Sequence, residues 1–279
     1  MTLALPPGLV ATSVGPLAAE VDARWLMAYA AGLGESGARY YDTAGAGGPA
    51  AHPLFAVCYE WPLALLLRGQ AIPDAVARRG VHATHHLVIH RPPRAGDALS
   101  TTARIVGVAG RRAGALVVLR FETVDAAGAP VTSTLHGSVY RGVACEDEGQ
   151  VDALPEAPGG PPRWDAPVPV AAGAAHVYTE TARIWNPIHT DLAVARAAGL
   201  PGLILHGTAT LALAVSRLIE RELGGDPGRV RAVSGRFSGM VAVPSTIVVR
   251  GGARRGDAIA LDVLDATGAV VLSQGVVAA

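Results

Sequence analysis

Two tracts of two-residue alternation, each behind an apolar helical stretch, constrain this chain more than any other feature. In the first tract Val81, Ala83, Leu87 and Ile89 share one side, Thr101, Ala103 and Ile105 another, and residues 115–124 and 131–140 complete a set of four strands. The order then repeats: a helix from Thr208 to Leu223 precedes strands near 230–238, 245–251, 258–265 and 269–277. The turn Val124-Asp125-Ala126-Ala127-Gly128-Ala129 is echoed by Leu264-Asp265-Ala266-Thr267-Gly268-Ala269. Asp and Gly are common in turns, so the echo alone decides little. With the repeated order of elements it indicates a duplication, and the fold class is α+β: two antiparallel sheets, each wrapped around a central helix.

The helices can be placed from their apolar faces and their stops. Val21 to Leu33 reads as a buried helix, with Trp25, Leu26, Tyr29 and Ala30 inside and Gly32 and Gly34 ending it. Leu54 to Leu67 is a second helical stretch, interrupted at Pro62. The glycines of residues 43–53 neither follow a strand nor open a helix, so they are a loop and not a dinucleotide fingerprint. Residues 145–173 are rich in Pro, Gly and acid and read as a linker, which divides the chain into halves at 1–144 and 174–279.

Composition then excludes several functions. Formal net charge is zero, so neither nucleic acid nor an anionic membrane is an expected partner. All 23 basic residues are arginine, which rules out a Schiff-base or P-loop lysine. Cys58 and Cys145 are too few for a disulfide framework or a thiolate zinc site, and a reducing cytoplasm is the simplest setting. The first twenty residues contain Pro6, Pro7 and Pro16 with no basic residue before Arg24, and make a poor signal peptide. His82, His86 and His90 share one face of a regular strand, but four residues span roughly 13 Å, too far for one ion. No metal is expected.

Chemistry concentrates in residues 178–207, YTETARIWNPIHTDLAVARAAGLPGLILHG. Pro187 pushes Asn186 out of the α region and imposes a turn just before His189. Asp191 can cap a short helix that Gly199 and Pro201 stop. His206 and Gly207 open the long second helix, whose first N–H groups carry partial positive charge and can approach an oxyanion closely at a glycine. His189 can give or take a proton near neutral pH.

Trp185, Asn186, Pro187, His189, Asp191, Ala198, Gly199, Leu205, His206 and Gly207 together resemble, in register, the hydratase signature of the MaoC-like (R)-specific enoyl-CoA hydratases. The first half, from Trp25 through His52-Pro53 to Arg141, looks like the non-catalytic half of the peroxisomal multifunctional enzyme's hydratase. The resemblance implies a double hot-dog fold, an acyl-CoA or acyl-carrier-protein thioester as substrate, no cofactor, and a first half that accommodates the acyl chain. It also implies His189 as proton-transfer residue, Gly207 as oxyanion donor, Asn186 as an orienting group, and Arg183, Ile184, Trp185 and His206 beside the substrate. A double hot dog resembles a fused dimer, which acts alone or pairs again as a homodimer.

One departure stands out. The family's catalytic aspartate falls two residues before Asn186, where this chain has Ile184. Three expectations follow. Glu180, Asp191 or Glu60 from the other half replaces the acid, and hydration of a trans-2-enoyl thioester or dehydration of a 3-hydroxyacyl thioester persists. Alternatively the chemistry has changed to an isomerase or thioesterase centred on His189, with Arg183 pairing a substrate anion. In the third case the chain binds acyl thioesters silently, as a partner subunit.

Overall fold

The computed structural model describes residues 3–279. Its first-half strands are β1 (Ser13–Glu20), β2 (Gly80–Ile89), β3 (Ala98–Arg111), β4 (Gly114–Val124) and β5 (Pro130–Arg141), laid side by side as β1-β3-β4-β5-β2. After the two-residue β6 (Glu148–Gly149), the second half supplies β7 (Trp164–Val170), β8 (Ala232–Phe237), β9 (Ser245–Arg255), β10 (Ala258–Leu264) and β11 (Val270–Ala278). These lie in the order β7-β9-β10-β11-β8, the same winding as the first half. The duplication read from the pattern is therefore a duplication of topology. The two half-sheets are fused: β2 pairs antiparallel with β8, His86 opposite Ser234, so one sheet of 11 strands runs through the molecule.

Among the described residues six α-helices accompany the sheet: α1 (Ala23–Gly32), α2 (Ala56–Ala71), α3 (Asp74–Ala77), α4 (Ala174–Ala182), α5 (Leu192–Ala197) and α6 (Gly207–Glu222). The Asp22 carboxylate accepts from the Trp25 N–H at 2.7 Å and starts α1, whose buried residues are Trp25, Leu26, Tyr29 and Ala30. In α6 Leu211, Val215, Leu218 and Ile219 are buried as one stripe, and Gly224 and Gly225 follow the helix at positive φ. α2 differs from expectation, because it continues through Pro62. Pro62 is exposed while Leu63 and Leu67 beside it are fully buried, and their packing outweighs the one backbone bond the proline cannot make.

The two turns are the same object. Asp125 Oδ1 accepts from the N–H groups of Ala127 and Ala129, and Asp265 Oδ1 from those of Thr267 and Ala269. Gly128 and Gly268 supply φ of 78° and 84°.

Three strands went unread in the sequence. β1 occupies the outer edge of the first half and β7, inside the expected 145–173 linker, the outer edge of the second. That stretch also holds β6, which pairs with β3. Pro16 in β1 and Pro167 and Pro169 in β7 disguise both, and proline is tolerated because an edge strand pairs on one side only. In β7 the exposed Asp165, Pro167 and Pro169 alternate with buried Ala166, Val168 and Val170.

A further difference lies in β2. Its register against β5 shifts between His82 and Thr84, so His82 stands opposite Ser138 and Thr84 opposite Gly137. The extra residue breaks the two-residue period, and His82 no longer shares a face with His86 and His90.

Candidate active site

α4 ends at Arg183, whose φ of 57° is left-handed and stops the helix, and the Ile184 N–H then donates to the Thr179 carbonyl at 3.0 Å. The chain turns through Asn186 and Pro187 into a single 3-10 turn, Pro187–His189. Asn186 Oδ1 accepts from the Ile188 N–H at a long 3.5 Å. Asp191 is committed elsewhere: it accepts from the Ala193 and Val194 N–H groups at 2.8 and 3.2 Å and caps α5.

His189 is 8% exposed, and its Nδ1 donates to the Ile204 carbonyl at 2.9 Å. That bond places the proton on Nδ1 and leaves the Nε2 lone pair, which has no protein partner among the described residues, free to accept a proton. Burial lowers the His189 pKa, with the Ile204 carbonyl opposing it. His206 stacks on His189 with ring centroids 3.7 Å apart, and its Nε2 lies 3.2 Å from Thr179 Oγ1. Burial first, and His189 second, hold His206 down to about 2, so it is neutral and fixes the partner ring without supplying protons.

His206 is also the N-cap of α6 but contributes no side-chain cap, so the first N–H groups of this 16-residue helix keep their donor capacity. Space at Gly207 is tight: a Cβ would sit 3.2 Å from the Phe237 ring, which would have to give by a few tenths of an ångström. Tyr178 OH donates to Thr208 Oγ1 at 3.0 Å and lies 3.3 Å from Tyr29 OH, tying α4, α6 and α1 together behind the site.

These groups line a cleft of about 1110 Å³ that runs between the halves. Ile184, Asn186, His189, His206 and Gly207 form part of its wall, and Glu60 and Trp61 of α2 line it from the first half. Glu60 is 4% exposed, and Thr134 Oγ1 donates to its Oε1 at 2.6 Å. Burial raises its pKa to about 7 against the opposing pull of Thr134. Of the three acids considered in place of the aspartate, Glu180 is exposed, Asp191 is a cap, and Glu60 reaches the cleft. Thr134 had no signal in the sequence, being 74 residues from its partner and visible only as a buried threonine in a strand.

Arg183 and Trp185 are not brought to the cleft. The left-handed backbone at Arg183 sends its guanidinium over the Trp25 ring, 3.9 Å from the centroid, and Trp185 is 60% exposed. Ile184 is 5% exposed and joins the main apolar core.

Comparison with known proteins agrees with this architecture. Residues 153–265 match the MaoC like domain, and residues 9–134 match the FAS1-like dehydratase domain region. The second half of the chain thus carries a MaoC-like domain and the first half a FAS1-like dehydratase region, on the double hot-dog fold. Among individual proteins, it is 41% identical to peroxisomal enoyl-CoA hydratase 2 of Arabidopsis thaliana over 64 residues, 23% of this chain and 21% of that protein. The chain thus matches about a fifth of the length of that relative. The crystal structure of a MaoC-like dehydratase from Phytophthora capsici shares its fold with a TM-score of 0.86 at 23% identity, covering 97% of this chain and 96% of that one. Full-length peroxisomal multifunctional enzyme type 2 from Drosophila melanogaster aligns with a TM-score of 0.79 at 26% identity, over 94% of this chain and 47% of that one.

Proposed function

We propose that the chain is a hydro-lyase that adds water to a trans-2-enoyl thioester, or removes it from a 3-hydroxyacyl thioester, with Glu60 in the place of the family's aspartate. The observation that carries this reading is that an imidazole with a free Nε2 and a buried carboxyl of pKa about 7 line one cleft. In the hydration direction Nε2 of His189 takes a proton from water as the water oxygen bonds to C3 of the enoyl group. Negative charge moves to the thioester oxygen, which the Gly207 N–H receives, and the protonated carboxyl of Glu60 delivers its proton to C2. Solvent then returns the proton from His189 to Glu60, and dehydration is the reverse. The coenzyme A or carrier-protein arm belongs to the substrate, and the first half, which supplies Glu60 and Trp61 to the cleft, accommodates the acyl chain.

This pairing demands neutral His189 and protonated Glu60. The rate constant kcat/KM falls above about pH 7 as Glu60 ionises, and at low pH it falls when His189, its pKa lowered by burial, takes up a proton. The test follows enoyl-thioester absorbance with short-, medium- and long-chain substrates. Both His189→Ala and Glu60→Gln are expected to lose about a hundred- to ten-thousand-fold in kcat. A Glu60→Gln variant that keeps the parent's rate removes Glu60 from the mechanism. No turnover in the parent, but turnover in Ile184→Asp, overturns the reading in favour of a silent thioester-binding protein.

A further inference from the structure

The bulge in β2 creates a second cluster. His85 stands directly opposite His136 on β5, so their side chains share a face of the sheet. The register shift after His82 places His82 opposite Ser138, two residues from His136, and turns it to that same face. The His82 and His136 rings stack at 3.7 Å, and the three imidazoles each present a nitrogen within 4.8 Å of the other two. Sequence periodicity, which grouped His82 with His86 and His90, could not find this set.

From this geometry we infer that His82, His85 and His136 are the ligands of a divalent transition-metal ion, zinc by preference, whose fourth position opens on the cleft. The strongest observation is His85, 1% exposed, neither of whose ring nitrogens has a hydrogen-bond partner. A buried imidazole with no partner is a costly arrangement that ligation would relieve. His82 has the complementary pattern: Nε2 lies 3.1 Å from the Thr84 carbonyl, which fixes the ring and leaves Nδ1 to bind, as metal-ligating histidines commonly do. Tetrahedral zinc with nitrogens at about 2 Å needs them about 3.3 Å apart, so modest side-chain rotations close the set.

The donor chemistry is consistent. Three neutral imidazoles with no thiolate or carboxylate suit zinc, copper, nickel or cobalt rather than magnesium or calcium. His82 and His136 line the cleft, while His85 closes the site from behind. The Phe237 ring is 4.6 Å from the His82 ring and packs against Gly207, which puts the cluster one aromatic ring from the candidate oxyanion donor. The site stands on its own geometry and does not require the hydro-lyase reading.

Untagged protein, stripped with chelator and dialysed, would be titrated with cobalt(II) and then with zinc. The expected result is one cobalt per chain with the visible absorption of a four-coordinate ion, displaced by zinc. Affinity should fall at least about a hundredfold in His85→Leu and in His136→Gln. The exposed His90 and His176 serve as controls, and His90→Ala and His176→Ala should bind as the parent does. No cobalt absorption in the parent up to millimolar concentration overturns the proposal. So does binding that survives His85→Leu and His136→Gln but is lost with the exposed histidines. Circular dichroism and melting in chelator establish that the variants are folded, and the parent titration decides the matter even where they are not.

Discussion

Glu60→Gln should make the protein less active and, above neutral pH, more stable. The Glu60 residue is almost wholly buried at the wall of the cleft, and burial lifts the pKa of its carboxyl from an ordinary 4.5 to about 7 in the folded chain. Below pH 4.5 the group is protonated in both folded and unfolded states and contributes no penalty. Between the two values the unfolded chain releases the proton and the folded chain keeps it, so stability falls as pH rises, by about 1.4 kcal/mol per unit. The loss reaches about 3 kcal/mol and levels off once Glu60 ionises in the folded state. Glutamine keeps an oxygen to accept from Thr134 and has no charge to bury, so the variant lacks this slope. Urea unfolding of parent and variant at pH 5, 6, 7 and 8 would measure it. The difference in unfolding free energy should grow in the variant's favour by about 2.5 kcal/mol across that range, whatever constant offset the new amide adds. Enoyl-thioester turnover in the parent should hold up to about pH 7 and fall above it, as Glu60 ionises in the folded state. A stability difference that does not change with pH would refute the claim that Glu60 is held protonated, and with it the proton it is assigned to deliver.

Gly207→Ala should lower stability by about 1 kcal/mol, because the new methyl presses on the Phe237 ring, and turnover should drop about tenfold or more as the first turn of α6 shifts. Melting curves and initial rates check both. Arg183→Gly should leave KM unchanged, since the guanidinium rests on Trp25 outside the cleft; the lost cation–π contact, about 0.5–1 kcal/mol, is offset by relief of the left-handed backbone, so the melting temperature barely moves. A rise in KM would return Arg183 to the substrate. Gly128→Ala and Gly268→Ala have open space around the new methyl, so each should cost only the strain of positive φ, about 1 kcal/mol, and the double variant the sum.

How far the sequence could be read depended on whether a residue acts on its neighbours or across the fold. Four of the six helices and eight long strands were visible because their alternation or apolar stripe is local, as were the caps at Asp191 and the twin turns at Asp125 and Asp265, while α3 and α4 were not read. β1 and β7 were hidden because Pro16, Pro167 and Pro169 argue against strands until the edge position is known. The site split the same way. His189, Asn186, His206 and Gly207 lie within one stretch, and the structure brings them to one wall. Arg183 and Trp185 lie in the same stretch and point away, because a single left-handed residue redirects the chain. Glu60 could be named from sequence only as a candidate, since its approach is set by the packing of two halves and its pKa by burial. The grouping of His82 with His85 and His136 depends on one inserted residue in β2, for which a regular strand period gives the wrong face.

The duplication also explains why one cleft needs both halves. Counting from the N-cap histidines His52 and His206, the next residue is Pro53, which opens the 3-10 turn Pro53–Phe55 leading into α2, in one half and Gly207, which opens α6, in the other. Proline has no N–H, so the first half has no donor at the position where the second half offers one to an oxyanion. Eight residues past the same histidines (60 − 52 and 214 − 206) stand Glu60 and Ala214, so the carboxyl exists only in the first half. His52 itself is engaged, its Nδ1 accepting from the Leu54 N–H at 3.1 Å and its Nε2 lying 3.2 Å from Ser216 Oγ on α6. Donor and carboxyl therefore come from different halves, and this chain can assemble donor, imidazole and carboxyl only once. Exchanging the two positions, Pro53→Gly with Glu60→Ala in the first half and Ala214→Glu in the second, should abolish turnover rather than transfer it. Ala214 is fully buried in the core, where the larger side chain overpacks its neighbours and burying a carboxylate is costly.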